Sequence, residues 1–405
     1  MSGSLPRTVL AGRAGQPSGA RDPRPRAGRG LGTAWHVAAV TTLTSMPVFL
    51  PGAADSLICR ELHWTTGTFG ALLAVYWLGS LLGACASRSA RIPVDAGTVV
   101  AAALLATAAA LATGAVVPGT GLWAGAVLGG CAYGFSQPYT NFLLMRRCPP
   151  GAQGRAFGLK QAAVPATTLL CSVTVPLFAV PLGWRAVFAG GAAVCGGYAV
   201  VLLARVRRER TPEPRGGPRG AVPWDRRLVA LAAAGLLGAA IGNSLGGFLV
   251  LTLEDDGFAL GTAGFLAAGA AGLSVLARLG AGWLTDRAGH RTWRLLWVMF
   301  AVGTAGTALL AGGGAVGSAA GAFLAYAGGW GWAGVLHHVA GASYPGREKQ
   351  ATAVTQMGVS LGAAAGPFAF GRLYEQFAGG AWVLLSAAGL AAVVCVVAAR
   401  RDGPM

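Results

Sequence analysis

Charge is what this chain has least of. Only 11% of its 405 residues are Asp, Glu, Lys or Arg, and only 14 are acidic. Soluble domains carry charge at about a quarter of their positions, so a water-soluble globular fold is excluded. No Gly-x-x-x-x-Gly-Lys-[Ser/Thr] run occurs, and the polar segments are too short to house an ATPase, which argues against nucleotide-driven transport. The seven cysteines (Cys59, Cys85, Cys131, Cys148, Cys171, Cys195 and Cys395) have no paired spacing. Neither a disulfide framework nor a zinc site is expected, nor any other cofactor, and the cysteines read as small packing residues. The first 33 residues, rich in Arg, Pro and Gly, lack the apolar stretch of a cleavable signal and read as a disordered tail.

What the chain has is apolar length: 54% hydrophobic residues and 65 glycines. A bilayer core of about 30 Å takes roughly 20 residues of helix, and lipid offers no partner to an unpaired backbone amide, so helices are required. Six spans are expected at Trp35–Ile58, Thr66–Ala86, Ala96–Val117, Gly121–Met145, Phe157–Val180 and Arg185–Ala204. Six more follow at Leu228–Thr252, Gly261–Leu284, Trp293–Gly312, Val316–Val339, Ala351–Tyr374 and Ala381–Ala399. The predicted fold is an all-α membrane protein with twelve transmembrane helices in two pseudo-symmetric six-helix bundles. Its expected parts are a basic tail (1–33), an N-terminal bundle (34–204), a central loop (205–227), a C-terminal bundle (228–399) and a short tail (400–405).

The net charge of +17 invites a nucleic-acid reading, which the placement of the cations removes. Six arginines precede Trp35 and eight lie in Arg205–Arg227. Others sit at Arg88 and Arg91, at Arg146, Arg147, Arg155 and Lys160, at Arg287, Arg291 and Arg294, at Arg347 and Lys349, and at Arg400 and Arg401. These are every second loop and the chain ends, leaving Arg60, Arg185, Arg278 and Arg372 elsewhere. The positive-inside rule puts this basic face and both termini in the cytoplasm of a cell-membrane protein, with the anionic lipid surface as partner.

The two halves carry a weak repeat. A shift of 195 lays Pro149–Ala156 over Tyr344–Ala351, and a shift of 199 lays Gly83–Arg91 over Gly282–His290, which is followed by Arg291. The second copy reads Gly282, Asp286, Arg287, Gly289 and Arg291, and this Gly-x-x-x-Asp-Arg-x-Gly-x-Arg run resembles the loop signature of the major facilitator superfamily. The first copy departs from it, with Ser87 before Arg88 where the family has Asp, and Ala90 where it has Gly. The resemblance covers Trp35 to Ala399 and implies a secondary transporter working by alternating access.

Chemistry gives the loop residues gating roles. Gly282 admits a neighbouring backbone and Gly289 permits a strained turn. The carboxylate of Asp286 suits the exposed amides and partial positive charge where the fifth span begins. Ser87 is expected to make a weaker, uncharged contact to the start of the eleventh span near Ala351.

If the resemblance holds, spans one, four, seven and ten line the solute cavity. Its candidates are Tyr133, Gln137 and Asn141 at i, i+4 and i+8, then Asn243, Tyr326 and Trp330, with Thr41, Thr42, Thr44 and Ser45 of the first span. His337, on a stripe with Tyr326 and Trp330, and Asp55 are the proton-coupling candidates. Arg278 stands out as a cation well inside a span with no acid at its depth, which points to a small organic solute bearing a carboxylate or to a zwitterion. A monomer is expected to suffice. The competing functions are a non-transporting sensor on the same fold and a lipid-modifying enzyme. The latter has only the acidic cluster Glu254, Asp255 and Asp256 to offer.

Overall fold

The structure is a computed structural model that describes residues 27–89, 95–208 and 224–401. Most of the basic tail, Arg91 and the middle of the central loop lie outside the described residues. Twelve helical passes follow one another: α1 (Ala27–Ala53), α2 (Thr66–Ser89), α3 (Ala96–Val116), α4 (Thr120–Arg147), α5 (Gln153–Thr174) and α6 (Trp184–Arg208). The second half comprises α7 (Arg226–Asp255), α8 (Leu260–Ala288), α9 (Thr292–Gly312), α10 in two pieces (Ala315–Leu324 and Ala333–Ser343), α11 (Glu348–Phe377) and α12 (Ala381–Arg401). Among the described residues no strand is present.

Three of these passes differ from the continuous spans the sequence predicts. The first does not run straight through to Ile58: it bends by 62° after Ala53 into a short helix, Asp55–Leu62, whose Ile58 still packs into the core. Pro47 and Pro51 each remove a backbone hydrogen bond just before the bend. The fifth starts at Gln153 rather than Phe157 and passes into a π-turn at Val175–Ala179 around Pro176. The tenth is interrupted by a π-turn at Ala325–Gly329 followed by a non-helical turn. At its other end, α1 begins at Ala27, inside the segment read as tail.

Seven helices are apolar and long enough to cross a membrane on their own, or eight if the bent first pair counts as one. The passes that fall short are α4, α5, the broken α10 and α11. The pieces of α10 are too short, at 10 and 11 residues, while α4, α5 and α11 carry Gln137, Asn141, Lys160, Gln161, Thr355 and Gln356, all buried. Polar residues inside a bundle lower a helix's hydropathy without exposing anything to lipid.

Each half has its own core. One cluster gathers Ala34 through Ala199, and the largest of the others gather Leu231 through Ala399 and Ile241 through Leu385. Within each half, small residues let helices touch backbone to backbone. Gly130 and Gly134 of α4 face the Tyr76 and Ser80 carbonyls of α2, while Gly358, Gly362 and Gly366 of α11 face Ala232, Leu236 and Ala240 of α7. This is membrane-helix packing by close approach, since lipid supplies no hydrophobic drive.

The scarce acids sit at helix ends. Asp95 caps α3 through the Thr98 amide, at 3.1 Å, and Asp225 caps α7 through the Leu228 amide, at 2.8 Å. On the face opposite the basic one, Glu61 accepts from the Trp184 indole and Arg185. The acidic cluster is likewise occupied: Asp255 accepts from the Tyr374 hydroxyl, and Asp256 from the Ser318 hydroxyl and the Gly314 amide. Those contacts staple helix ends, which is the work expected of carboxylates at a wet boundary.

Candidate functional site

The halves meet toward the basic face. There Gly154 and Gly158 of α5 lie against Gly282 and the Arg278 carbonyl of α8 so closely that a Cβ on Gly282 would stand 2.5 Å from the Gly154 oxygen. Asp286, one turn on, accepts hydrogen bonds from the Gly154 amide (2.6 Å), the Arg155 amide (3.1 Å) and Arg155 Nε (2.8 Å). A carboxylate on a helix N-terminus meets both unpaired donors and the positive end of the dipole. Gly289 follows with φ +50°, a backbone that side chains resist, and Arg287 lies over the Trp283 ring at 3.6 Å. Arg291 is exposed where α9 begins.

At the related loop of the first half, the polarity is reversed. The Ser87 hydroxyl, expected to reach the start of α11, is buried and makes no hydrogen bond. Instead Lys349 of α11 donates to the Ser87 carbonyl at 3.0 Å and lies over the Tyr139 ring. A cation thus meets the carbonyl end of α2, where the dipole is negative. Arg88 stacks over Trp224 at 4.5 Å. Deeper in, Ser80 and Ser360 share a hydrogen bond of 2.8 Å between α2 and α11.

Farther from the basic face, α5 and α8 part. Leu169 lies about 24 Å along α5 from Gln153. There an apolar groove runs between the halves, lined by Leu169, Gly269, Gly272, Leu273, Leu276 and Phe323. The described hydrogen bonds between the halves run from Asp286 and Lys349 at the basic face inward to the Arg278–Gln161 and Ser80–Ser360 contacts, so the halves are joined on that side.

The interior at the closed end is polar and cationic. Arg278 is 3% exposed and donates through Nη1 to the Gln161 carbonyl and through Nη2 to the Trp330 carbonyl at 2.7 Å. Its guanidinium carbon lies 5.7 Å from the Trp330 ring centroid, and Trp330 in turn abuts Tyr326. The break in α10 exposes the Trp330 carbonyl for this bond, since the residue is no longer inside a regular helix.

Arg278 is not alone, contrary to the expectation from sequence. Lys160, which loop spacing groups with the loop cations, is wholly buried on α5 and donates to Asn141 Oδ1 and, at 3.3 Å, to the Gln137 carbonyl. The signal that reveals it is the helix start. Pro149-Pro150-Gly151 marks the N-terminus of this pass, which puts Lys160 two turns inside Gln153.

The other candidates have the following contacts. Tyr133 packs on Tyr76 and Trp77, and the Tyr326, Trp330 and His337 stripe is broken by the π-turn. Asn243 bonds back to the Ala239 carbonyl of its own helix, as do Thr41, Thr44 and Ser45 to theirs. His337 is buried and shares a 3.0 Å hydrogen bond with Thr355. Asp55 is exposed at the start of the short helix beyond the bend, its carboxylate on the Ser56 amide. Among the described residues no cluster of three metal-ligating side chains occurs.

Two six-helix bundles that close on one face around a buried polar centre define a membrane carrier. The profile of the Major Facilitator Superfamily matches residues 37–353, and the chain belongs to that family: it is a multi-pass transporter and not an enzyme. Its fold is similar to a transporter of the family, FucP, in the outward conformation, with a TM-score of 0.74 and 11% identity over 92% of this chain and 99% of that one. A bacterial homologue of the iron transporter ferroportin in an outward-facing state superposes with a TM-score of 0.72 and 14% identity, over 91% of this chain and 100% of the other. The proton:xylose symporter XylE, bound to 6-bromo-6-deoxy-D-glucose, gives a TM-score of 0.68 and 12% identity, covering 91% and 95%. At such identities the likeness concerns fold alone. No curated protein sequence matches significantly.

Proposed function

We propose that this transporter carries a small organic anion bearing a carboxylate across the cell membrane, with its basic face and both termini in the cytoplasm. The observation that carries the reading is Arg278: a buried guanidinium held by two main-chain carbonyls, its Nε without a partner, and no carboxylate bonded to it. A buried charge without a counter-charge is costly, and a bidentate carboxylate is the ligand that a guanidinium fits best. Tyr133, Tyr326 and Trp330 supply the surface for the solute's neutral part, while Gln137 and Asn141 supply hydrogen bonds. A coupling proton would have His337 as its carrier, since that imidazole is buried between the helices and Asp55 is exposed.

Alternating access follows from the two asymmetric contacts. Opening the basic face requires Asp286 to leave the α5 amides and Lys349 to leave the Ser87 carbonyl, while the parted end closes around the solute. Arg278→Gln is expected to weaken carboxylate binding to the purified protein by roughly tenfold to a hundredfold, the value of a charged hydrogen bond. Arg278→Lys keeps part of it. Thermal unfolding with and without ligand measures this, because a ligand of the folded state raises the midpoint. Wild-type affinity in the Gln variant would remove Arg278 from the site and make a neutral solute the better reading.

A further inference from the structure

Lys160 belongs to the opposite half from Arg278, yet the two reach one interior: Arg278 bonds the carbonyl of Gln161, the residue after Lys160. Both cations are essentially unexposed, and among the described residues no Asp or Glu is buried with them. The nearest acid in sequence on α8, Asp286, is engaged at the mouth by the α5 amides. Two basic side chains therefore stand in the interior of the bundle with no acid beside them.

Unmet donors accompany them. Asn141 gives its oxygen to Lys160, which leaves its amide nitrogen buried with no partner, and Gln137 Nε2 and Arg278 Nε are in the same condition. Three buried nitrogen donors are unsatisfied, beside two cations. Buried polar groups are normally paired, so a cluster of orphaned donors describes a missing acceptor. Its charge has to offset two cations rather than one.

We infer that Lys160 is a second solute-binding cation and that the solute is a dianion, of the dicarboxylate class, clamped between Arg278 of the C-terminal half and Lys160 of the N-terminal half. The inference rests on the anion reading above. One carboxylate meets the guanidinium of Arg278 and the other meets the ammonium of Lys160, with the Asn141 and Gln137 amides donating alongside. A dianion contacting both halves also favours closure around itself, because each half contributes one charge that the other half cannot neutralise.

The test compares two probe series on the purified full-length protein, at constant ionic strength and near pH 7, where both carboxyls are ionised. One series is acetate and propionate, the other malonate, succinate and glutarate. In the wild type, at least one dianion is expected to raise the unfolding midpoint and the monoanions to leave it in place. Lys160→Met should weaken that dianion by about tenfold or more and let monoanions bind comparably, whereas Lys160→Arg should retain the dianion preference. Asn141→Ala, which keeps both cations, should change the affinity by only a few fold. Equal stabilisation of the wild type by monoanions and dianions overturns the dianion inference while leaving the anion reading intact, even if Lys160→Met fails to fold. Dianion binding by Lys160→Met at wild-type strength overturns it in the same way. No stabilisation by either series overturns both readings.

Discussion

Asp286→Asn should open the basic face. With the seven native cysteines replaced and a single cysteine placed at Gln137, an impermeant maleimide applied from that face is expected to label the Asn variant about ten to a hundred times faster. The magnitude comes from the bonds lost. The carboxylate accepts two main-chain amides at the start of α5 and the Arg155 guanidinium. A hydrogen bond to a charged group contributes about 1.5–3 kcal/mol, and asparagine would present an NH2 to donors in place of one oxygen. Arg155 is a minor member: its side chain is 60% exposed, and exposed ion pairs contribute little. Arg155→Ala should therefore leave labelling close to the parent, which separates the helix-end contact from the salt bridge. Unchanged labelling in a folded Asp286→Asn protein would reduce Asp286 to a loop cap.

Gly362→Ala should be among the most damaging single substitutions in the chain. A Cβ there would lie 1.9 Å from the Leu236 carbonyl oxygen and 2.9 Å from its Cα, so α7 and α11 would have to separate. Neither contact is the end of a flexible side chain, and overpacking of this kind costs about 1–3 kcal/mol or more. Gly197→Ala on α6 is the matched control, because nothing lies within 4 Å of where its methyl group would stand. Alanine there should be neutral or slightly stabilising, given its better helix propensity. Unfolding midpoints in one detergent compare the two. Equal midpoints would mean that α7 and α11 do not meet so closely.

Much of this was legible in residue order. Apolar run lengths gave the passes, and the alternation of arginines gave one basic face, because both follow from the bilayer as solvent rather than from tertiary detail. The meeting of Asp286 with the α5 N-terminus was readable for a similar reason: a carboxylate and a helix start are complementary wherever they lie. What residue order did not carry was where side chains end up once helices bend. Lys160 reads as a loop cation until the helix start at Pro150 is recognised. Asp55 reads as part of a span until Pro47 and Pro51 turn the chain. The stripe of Tyr326, Trp330 and His337 assumed an unbroken 3.6-residue period, which the π-turn at Ala325–Gly329 ends. Lys349 facing Ser87 depended on a contact between halves that a single loop's sequence cannot display.

Uptake into vesicles tests most directly whether a carboxylate crosses through the Arg278 centre. Protein reconstituted into liposomes preloaded with unlabelled succinate, and then given trace labelled succinate outside, should accumulate label well above protein-free liposomes. Arg278→Gln at equal incorporation should bring uptake down to that background. Wild-type protein that binds succinate in detergent yet accumulates no more label than empty liposomes would contradict the account and leave a sensor in its place.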